Sequence, residues 1–185
     1  MKRFAVLVLV LGIGVMAAGC DEELSPVTPT GLVTLVSQMS AANEVPPAGA
    51  QGNPAGALEA GAIGSLSVDM VPAADGSYVA SFSFRISGLV GAGRLPAPLD
   101  SGSVIVAGHI HSGAAGTAGP PVVPLPISQT APIVSPTGSV VLTIQNVPVT
   151  AAVANAILAN PGGFYFNLHS ALNPAGVVRG QLVRQ

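Results

Sequence analysis

Residues 164–183 read FYFNLHSALNPAGVVRGQLV, and this stretch decides the fold. In residues 164–169 Phe164, Phe166 and Leu168 alternate with Tyr165, Asn167 and His169, the period of two that marks a strand with one buried face. Residues 177–183 repeat the pattern, with Val178, Gly180 and Leu182 on the core face and Arg179 and Gln181 on the other. Asn173-Pro174-Ala175-Gly176 lies between them, a turn-forming run whose glycine can take a positive φ. The chain therefore closes with a hairpin that is apolar on one side and carries an aromatic, amide, imidazole and guanidinium set on the other.

Similar patterns lie upstream. Residues 32–36, 64–71 and 77–89 read as strands; in the last, Tyr78, Ala80, Phe82, Phe84 and Ile86 alternate with smaller or polar residues. Asp75-Gly76 predicts a hairpin turn between the last two. Residues 103–111 and 138–144 are further strands. Residues 113–121 form a Gly-rich loop, and the aperiodic Ala/Gly/Pro stretch 46–61 forms another. Thr150 is placed to cap a short helix running to Leu158, before Pro161. Short strands, frequent turns and one short helix predict an all-β Greek-key sandwich or barrel, immunoglobulin-like or superoxide-dismutase-like, and exclude an alternating β/α arrangement.

The N-terminus has a different character. Lys2 and Arg3 precede an apolar run, and small residues Ala17-Ala18-Gly19 lead to Cys20, the single cysteine. A charged, apolar, then cleavable layout is an export signal. Its apolar run is shorter than the roughly 20 residues that span a bilayer. The ending resembles a lipobox, with Ala17 where leucine is more usual. Residues 1–19 are thus expected to be a lipoprotein signal peptide, and Cys20 the lipidated residue. Residues 20–30, acidic and proline-containing, form a tether, and residues 31–185 the β domain. An unpaired cysteine in an exported chain calls for a reason, and lipidation supplies one. The expected location is the cell envelope, on a membrane, at its periplasmic or extracellular face. Removal of residues 1–19 leaves four arginines, no lysine and eight carboxylates, a net charge of −4. A lysine-free acidic domain has no surface for a polyanion, so nucleic-acid binding is set aside.

The chemistry centres on three histidines. His109 and His111, two apart on a strand, share one face while Ile110 points the other way. His169 lies on the non-apolar face of the closing hairpin, so neighbouring strands would bring all three imidazoles together. Three neutral imidazoles suit zinc or copper, with a position left open. The alternative is that each ring bonds its own backbone carbonyl around the Gly-rich loop. No carboxylate lies near them in sequence, although Glu44 and Asp100 could approach in space. Arg179 reads as an anchor for a carboxylate or for turn carbonyls, and Arg94 as solvated. No Gly-x-Ser-x-Gly elbow, phosphate loop or free thiol remains.

Several motifs resemble the CHRD (chordin) domain family. Asn43-Glu44-Val45-Pro46-Pro47 is similar to its opening signature. Residues 64–68 and 84–89 look like its next strands. Gly108-His109-Ile110-His111-Ser112-Gly113 with Gly119-Pro120-Pro121 matches its histidine motif, and residues 165–170 through 173–182 its closing motif. The resemblance covers about residues 32–184. It departs at Val177-Val178, where an acidic residue often precedes the Ile-Arg-Gly, and so loses a partner for Arg179. The resemblance implies an all-β sandwich, found alone in bacterial exported proteins and repeated in extracellular chordin, and it marks Asn43, Glu44, Asn167, Arg179 and Gln181 as structural or binding residues. The expected function is a non-enzymatic binding or structural module of the cell envelope, held by lipid and meeting a protein, glycan or small ligand. The alternative is a mononuclear copper or zinc protein built on His109, His111 and His169.

Overall fold

A computed structural model describes residues 31–95 and 100–185. The expected signal peptide, Cys20 and the tether lie outside the described residues, as does part of the loop after Leu89. Ten strands occur in order: β1 (Val33–Ser40), β2 (Ile63–Pro72), β3 (Tyr78–Ser87), β4 (Ser103–Ser112), β5 (Pro121–Pro124), β6 (Ile133–Ser135), β7 (Ser139–Val149), β8 (Phe164–Ser170), β9 (Val178–Gln181) and β10 (Val183–Arg184). One helix, α1 (Ala151–Ala159), lies between β7 and β8. The described residues are all-β with a single short α-helix. Its strands form one antiparallel, nearly closed, barrel-like sheet ordered β5-β4-β8-β9-β1-β2-β3-β7, with β10 beside β1 and β6 beside β4. Among the described residues no helix is long and apolar enough to cross a membrane.

The inward faces are those of the alternation. Tyr78, Ala80, Phe82, Phe84 and Ile86 on β3 are all buried, with Leu35, Val68, Leu168, Val178 and Leu182 from facing strands. Phe82 and Phe84 meet Phe166 with ring centroids 5.9 and 6.1 Å apart. Each such aromatic contributes about 1.5–3 kcal/mol by leaving water. At the β2–β3 turn, Asp75 Oδ accepts from the Ser77 backbone N–H at 2.9 Å and Gly76 takes φ +83°. Thr150 caps α1, its hydroxyl accepting from Val153 N–H at 3.4 Å.

Five elements differ from the sequence reading. β1 continues to Ser40, so that it pairs with β2 along its whole length and with Arg179 of β9 at its end. β7 runs on to Val149 because a bulge opposite Ser81, with Asn146 at φ 59°, shifts the phase of its alternation. Proline-bearing β5 and three-residue β6 are short strands on the flank of β4. The stretch 46–61 holds a 3-10 helix, Pro54–Glu59, capped by Asn53.

Candidate metal centre

The β4–β8–β9 register builds the site. His109 lies opposite Asn167 and Asn167 opposite Arg179; His111 lies opposite Tyr165 and Tyr165 opposite Gln181; Ala107 lies opposite His169. Cross-strand partners share a face, so these side chains emerge on one side while Ile110, Phe166 and Gly180 occupy the other. The ring centroids of His109 and His111 are 5.2 Å apart, those of His109 and His169 5.1 Å, and those of His111 and His169 6.2 Å. One nitrogen from each ring can be chosen so that all three lie within 4.8 Å of one another.

Hydrogen bonds orient the rings. His111 Nδ1 lies 2.8 Å from Gly119 O, and His169 Nδ1 lies 2.9 Å from Pro174 O. A carbonyl only accepts, so both Nδ1 atoms carry protons and both Nε2 atoms present lone pairs. His169 Nε2 stands 3.2 Å from His109 Nδ1. Two nitrogens held by one tetrahedral metal at about 2.0–2.1 Å are separated by about 3.4 Å, so this spacing fits a shared ion. His111 Nε2 is buried with no hydrogen-bond partner. The two alternatives weighed on the sequence, convergence and separate carbonyl partners, thus occur together: the carbonyls bind one nitrogen of His111 and of His169 and leave the other facing the cluster.

Burial disfavours charge on all three rings. It holds His109 down to about 4, helped by the neighbouring His169 and His111. His111 is lowered by burial and by the Arg179 charge, with the Gly119 carbonyl and the Asn167 side chain pulling the other way. His169 is also lowered by burial, against the Pro174 carbonyl. Neutral imidazole is the form that binds a metal.

The loop over the site is fastened from below. Tyr165 stacks against His111 at 4.9 Å and 11°, and the Arg179 guanidinium lies 3.4 Å from the Tyr165 ring centroid. Arg179 is 2 % exposed, and its Nη2 donates to Ala114 O at 2.9 Å. Gln181 Nε2 donates to Gly113 O at 3.0 Å and to Gly162 O at 2.8 Å. The Tyr165 hydroxyl accepts from Gly119 N–H at 3.2 Å. Asn43 Nδ2 donates to Arg179 O at 3.2 Å, tying the turn after β1 to β9. Gly180 allows that approach, since a Cβ there would stand 2.2 Å from Gln38 O.

Glu44 comes close through space. It is 4 % exposed, lies beside Asn167 and Arg179, and its Oε1 has no hydrogen-bond partner; neither has Asn167 Oδ1. Burial pushes its carboxyl up to about 8, against the Asn167 side chain and the Arg179 charge. A folded state that holds a proton more tightly than the unfolded chain is favoured fully below pH 4.5, and that contribution is lost as pH rises through about 8. In chelator, the melting temperature is therefore expected to fall between about pH 6.5 and 8.5, and Glu44→Gln to flatten that fall; parallel profiles would contradict it. Asp100 and Arg94 lie outside the cluster and are exposed.

One buried carboxylate escaped the sequence reading. Glu59, at 0 % exposure, accepts from Ser103, from Ser170 at 2.5 Å and from Asn173 Nδ2 at 2.9 Å. Asn173 also receives Gly49 N–H at 2.8 Å and donates to Gly56 O at 3.1 Å. This knot ties the 3-10 helix to β4 and to the turn before β9. The only signal in the sequence was a lone acid among small and apolar residues.

No curated protein and no solved structure matches the chain significantly. Among protein families, the model described as the CHRD domain matches residues 35–182.

Proposed function

The chain belongs to the CHRD domain family, and on that premise we propose that it is a cell-envelope binding module whose working centre is a mononuclear three-histidine metal site. His109, His111 and His169 would hold the ion. The observation that carries this is the convergence of the three rings, one nitrogen from each lying within 4.8 Å of the others, with the buried Nε2 of His111 turned toward them and toward the Asn167 side chain. Burial makes a lone pair without a donor costly, and a cation would remove that cost. Carbonyl bonds to the far nitrogens of two ligand rings are the outer support that metal sites use to fix tautomer and orientation. Imidazole donors favour zinc or copper. With three protein ligands a further position is free, where a bound ion would act as a Lewis acid or, as copper, exchange an electron. The role proposed is binding, because the sequence offers no nucleophile set beside a base. Elemental analysis and calorimetric titration of the purified protein test it: one zinc or copper ion per chain is expected, and an absence of uptake would refute it.

The envelope location rests on the N-terminal layout: Lys2-Arg3, the apolar run and Ala17-Ala18-Gly19-Cys20. Two acyl signals on one residue suffice for stable anchoring. Detergent phase partitioning of the expressed protein is expected to place it in the detergent phase, and Cys20→Ala in the aqueous phase. Identical partitioning of the two would eliminate the anchor.

A further inference from the structure

A cavity of about 390 Å³ opens beside the histidine cluster, between the turn that follows β1, the Gly-rich loop and the end of β9. Its lining includes Ala42, Glu44, Ala115, Gly116, Arg179 and Gln181, and none of the three histidines contributes to it. The first and last motifs of the sequence meet here, outside the metal centre.

Arg179 is the only cation in the wall. It is almost wholly buried, and a buried charge is costly unless an opposite charge and full hydrogen bonding offset it. The protein supplies only part of that. Tyr165 covers one face of the guanidinium, and Nη2 donates to Ala114 O and, at 3.4 Å, to Gln181 Oε1. Among the described residues no acceptor meets Nε or Nη1. Both are partnerless without being sealed from solvent, so they hold the little surface that Arg179 keeps, and that surface lines the cavity.

Glu44 does not neutralise this charge. No hydrogen bond joins the two side chains, and Oε1 is sealed off from the cavity. Burial pushes the carboxyl up to about 8, so at neutral pH it is mainly the uncharged acid. Its Oε2 is neither bonded nor sealed, and an acid proton there makes this wall a donor as well.

A charged donor and a neutral donor ask for one anion with two acceptor oxygens. We propose that the cavity binds a monocarboxylate with a short aliphatic tail, one oxygen on a free N–H of Arg179 and the other facing Glu44 Oε2. Arginine and carboxylate form the stronger, charge-assisted kind of hydrogen bond. Ala42, Val45 and Ala115 give the tail an apolar rim. Sulfate and phosphate suit the place badly, since they bring two charges to one guanidinium. The metal centre plays no part in this binding, so the proposal stands or falls separately from it.

The test is chemical-shift mapping at neutral pH on the whole protein, stripped of metal and dialysed free of chelator, with isobutyrate as probe. Saturable shifts are expected at the backbone amides of Glu44, Gly116 and Gly180 and at the guanidinium protons of Arg179. Isobutyramide, which has the same shape and no charge, is expected to bind about ten-fold more weakly, because hydrogen bonds between charged partners are the stronger ones. Sulfate at equal ionic strength is expected to leave isobutyrate in place. Ala42→Phe, at an exposed position on the rim, is expected to fill the cavity and abolish the shifts while leaving the melting temperature unchanged. Absence of saturable shifts, an amide that binds as tightly, displacement by sulfate, or an unaltered response in Ala42→Phe would each overturn the proposal.

Discussion

Replacement of His109, His111 and His169 together by alanine is expected to abolish uptake of zinc and copper, and any one of the three changes to weaken it by more than about 100-fold. Loss of a bond behind a ligand already costs 10–100-fold in metal affinity, and here the ligand itself is lost. The second readout is thermal. An ion that binds only the folded chain stabilises it by about 2.7 kcal/mol at a hundred times Kd, which for a domain of this size raises the melting temperature by about 5–10 °C. Wild-type protein should show that rise and the triple variant none. In chelator the triple variant should itself melt somewhat lower than wild type, because the bonds to Gly119 O and Pro174 O and the stacking of His111 on Tyr165 are lost, so the metal-induced rise is read within each protein. Because burial holds the His109 ring down to about 4 and lowers the other two, protons compete weakly, and uptake should persist at pH 5.5. A variant that binds as well as wild type, or a wild type that shows no metal-induced rise, would sink the metal centre and leave the histidines as fasteners of the loop.

Glu59→Ala is expected to be the most damaging single change in the domain. It removes the acceptor shared by Ser103, Ser170 and Asn173, all of them buried. Each orphaned group costs about 1–3 kcal/mol, and the lost volume adds to that, so about 4 kcal/mol is a fair scale, or about 8–16 °C in melting temperature. Glu59→Gln keeps the shape and one acceptor oxygen, and should fall between the alanine variant and wild type. Denaturant unfolding of the three proteins checks the order. An alanine variant as stable as wild type would mean that the knot carries no net stability.

The closing hairpin was legible because residues 164–169 and 177–183 obey a strict period of two, and a strand has only two faces to assign. The same rule puts the histidines of both strands opposite their apolar sides, and the pairing of β4 with β8 supplies the condition for them to converge. What the alternation does not carry is phase slippage. β7 was cut short at Ile144 because the bulge at Gln145 and Asn146 places two residues against one, after which Val147 and Val149 face inward in place of the even-numbered positions. Proline hid β5, since Pro121 and Pro124 read as breakers although an edge strand tolerates them. The partners of Glu44 were not legible at all, because Asn167 and Arg179 lie more than a hundred residues away and reach it only through the β8–β9–β1 arrangement. Glu59 was invisible for the same reason.

That arrangement also sets a schedule. β1, the first of the described strands, takes one flank from β2 and the other from β9 and β10, which follow it by about 140 residues in the chain. Loop closure over nearly the whole chain must precede its pairing, which makes for slow assembly. A nascent chain can zip β1, β2 and β3 early, yet its sheet stays split between β8 and β1 until residues 178–184 are free. The turn after β1 then meets β9, and the histidine loop acquires its floor in the same closing step.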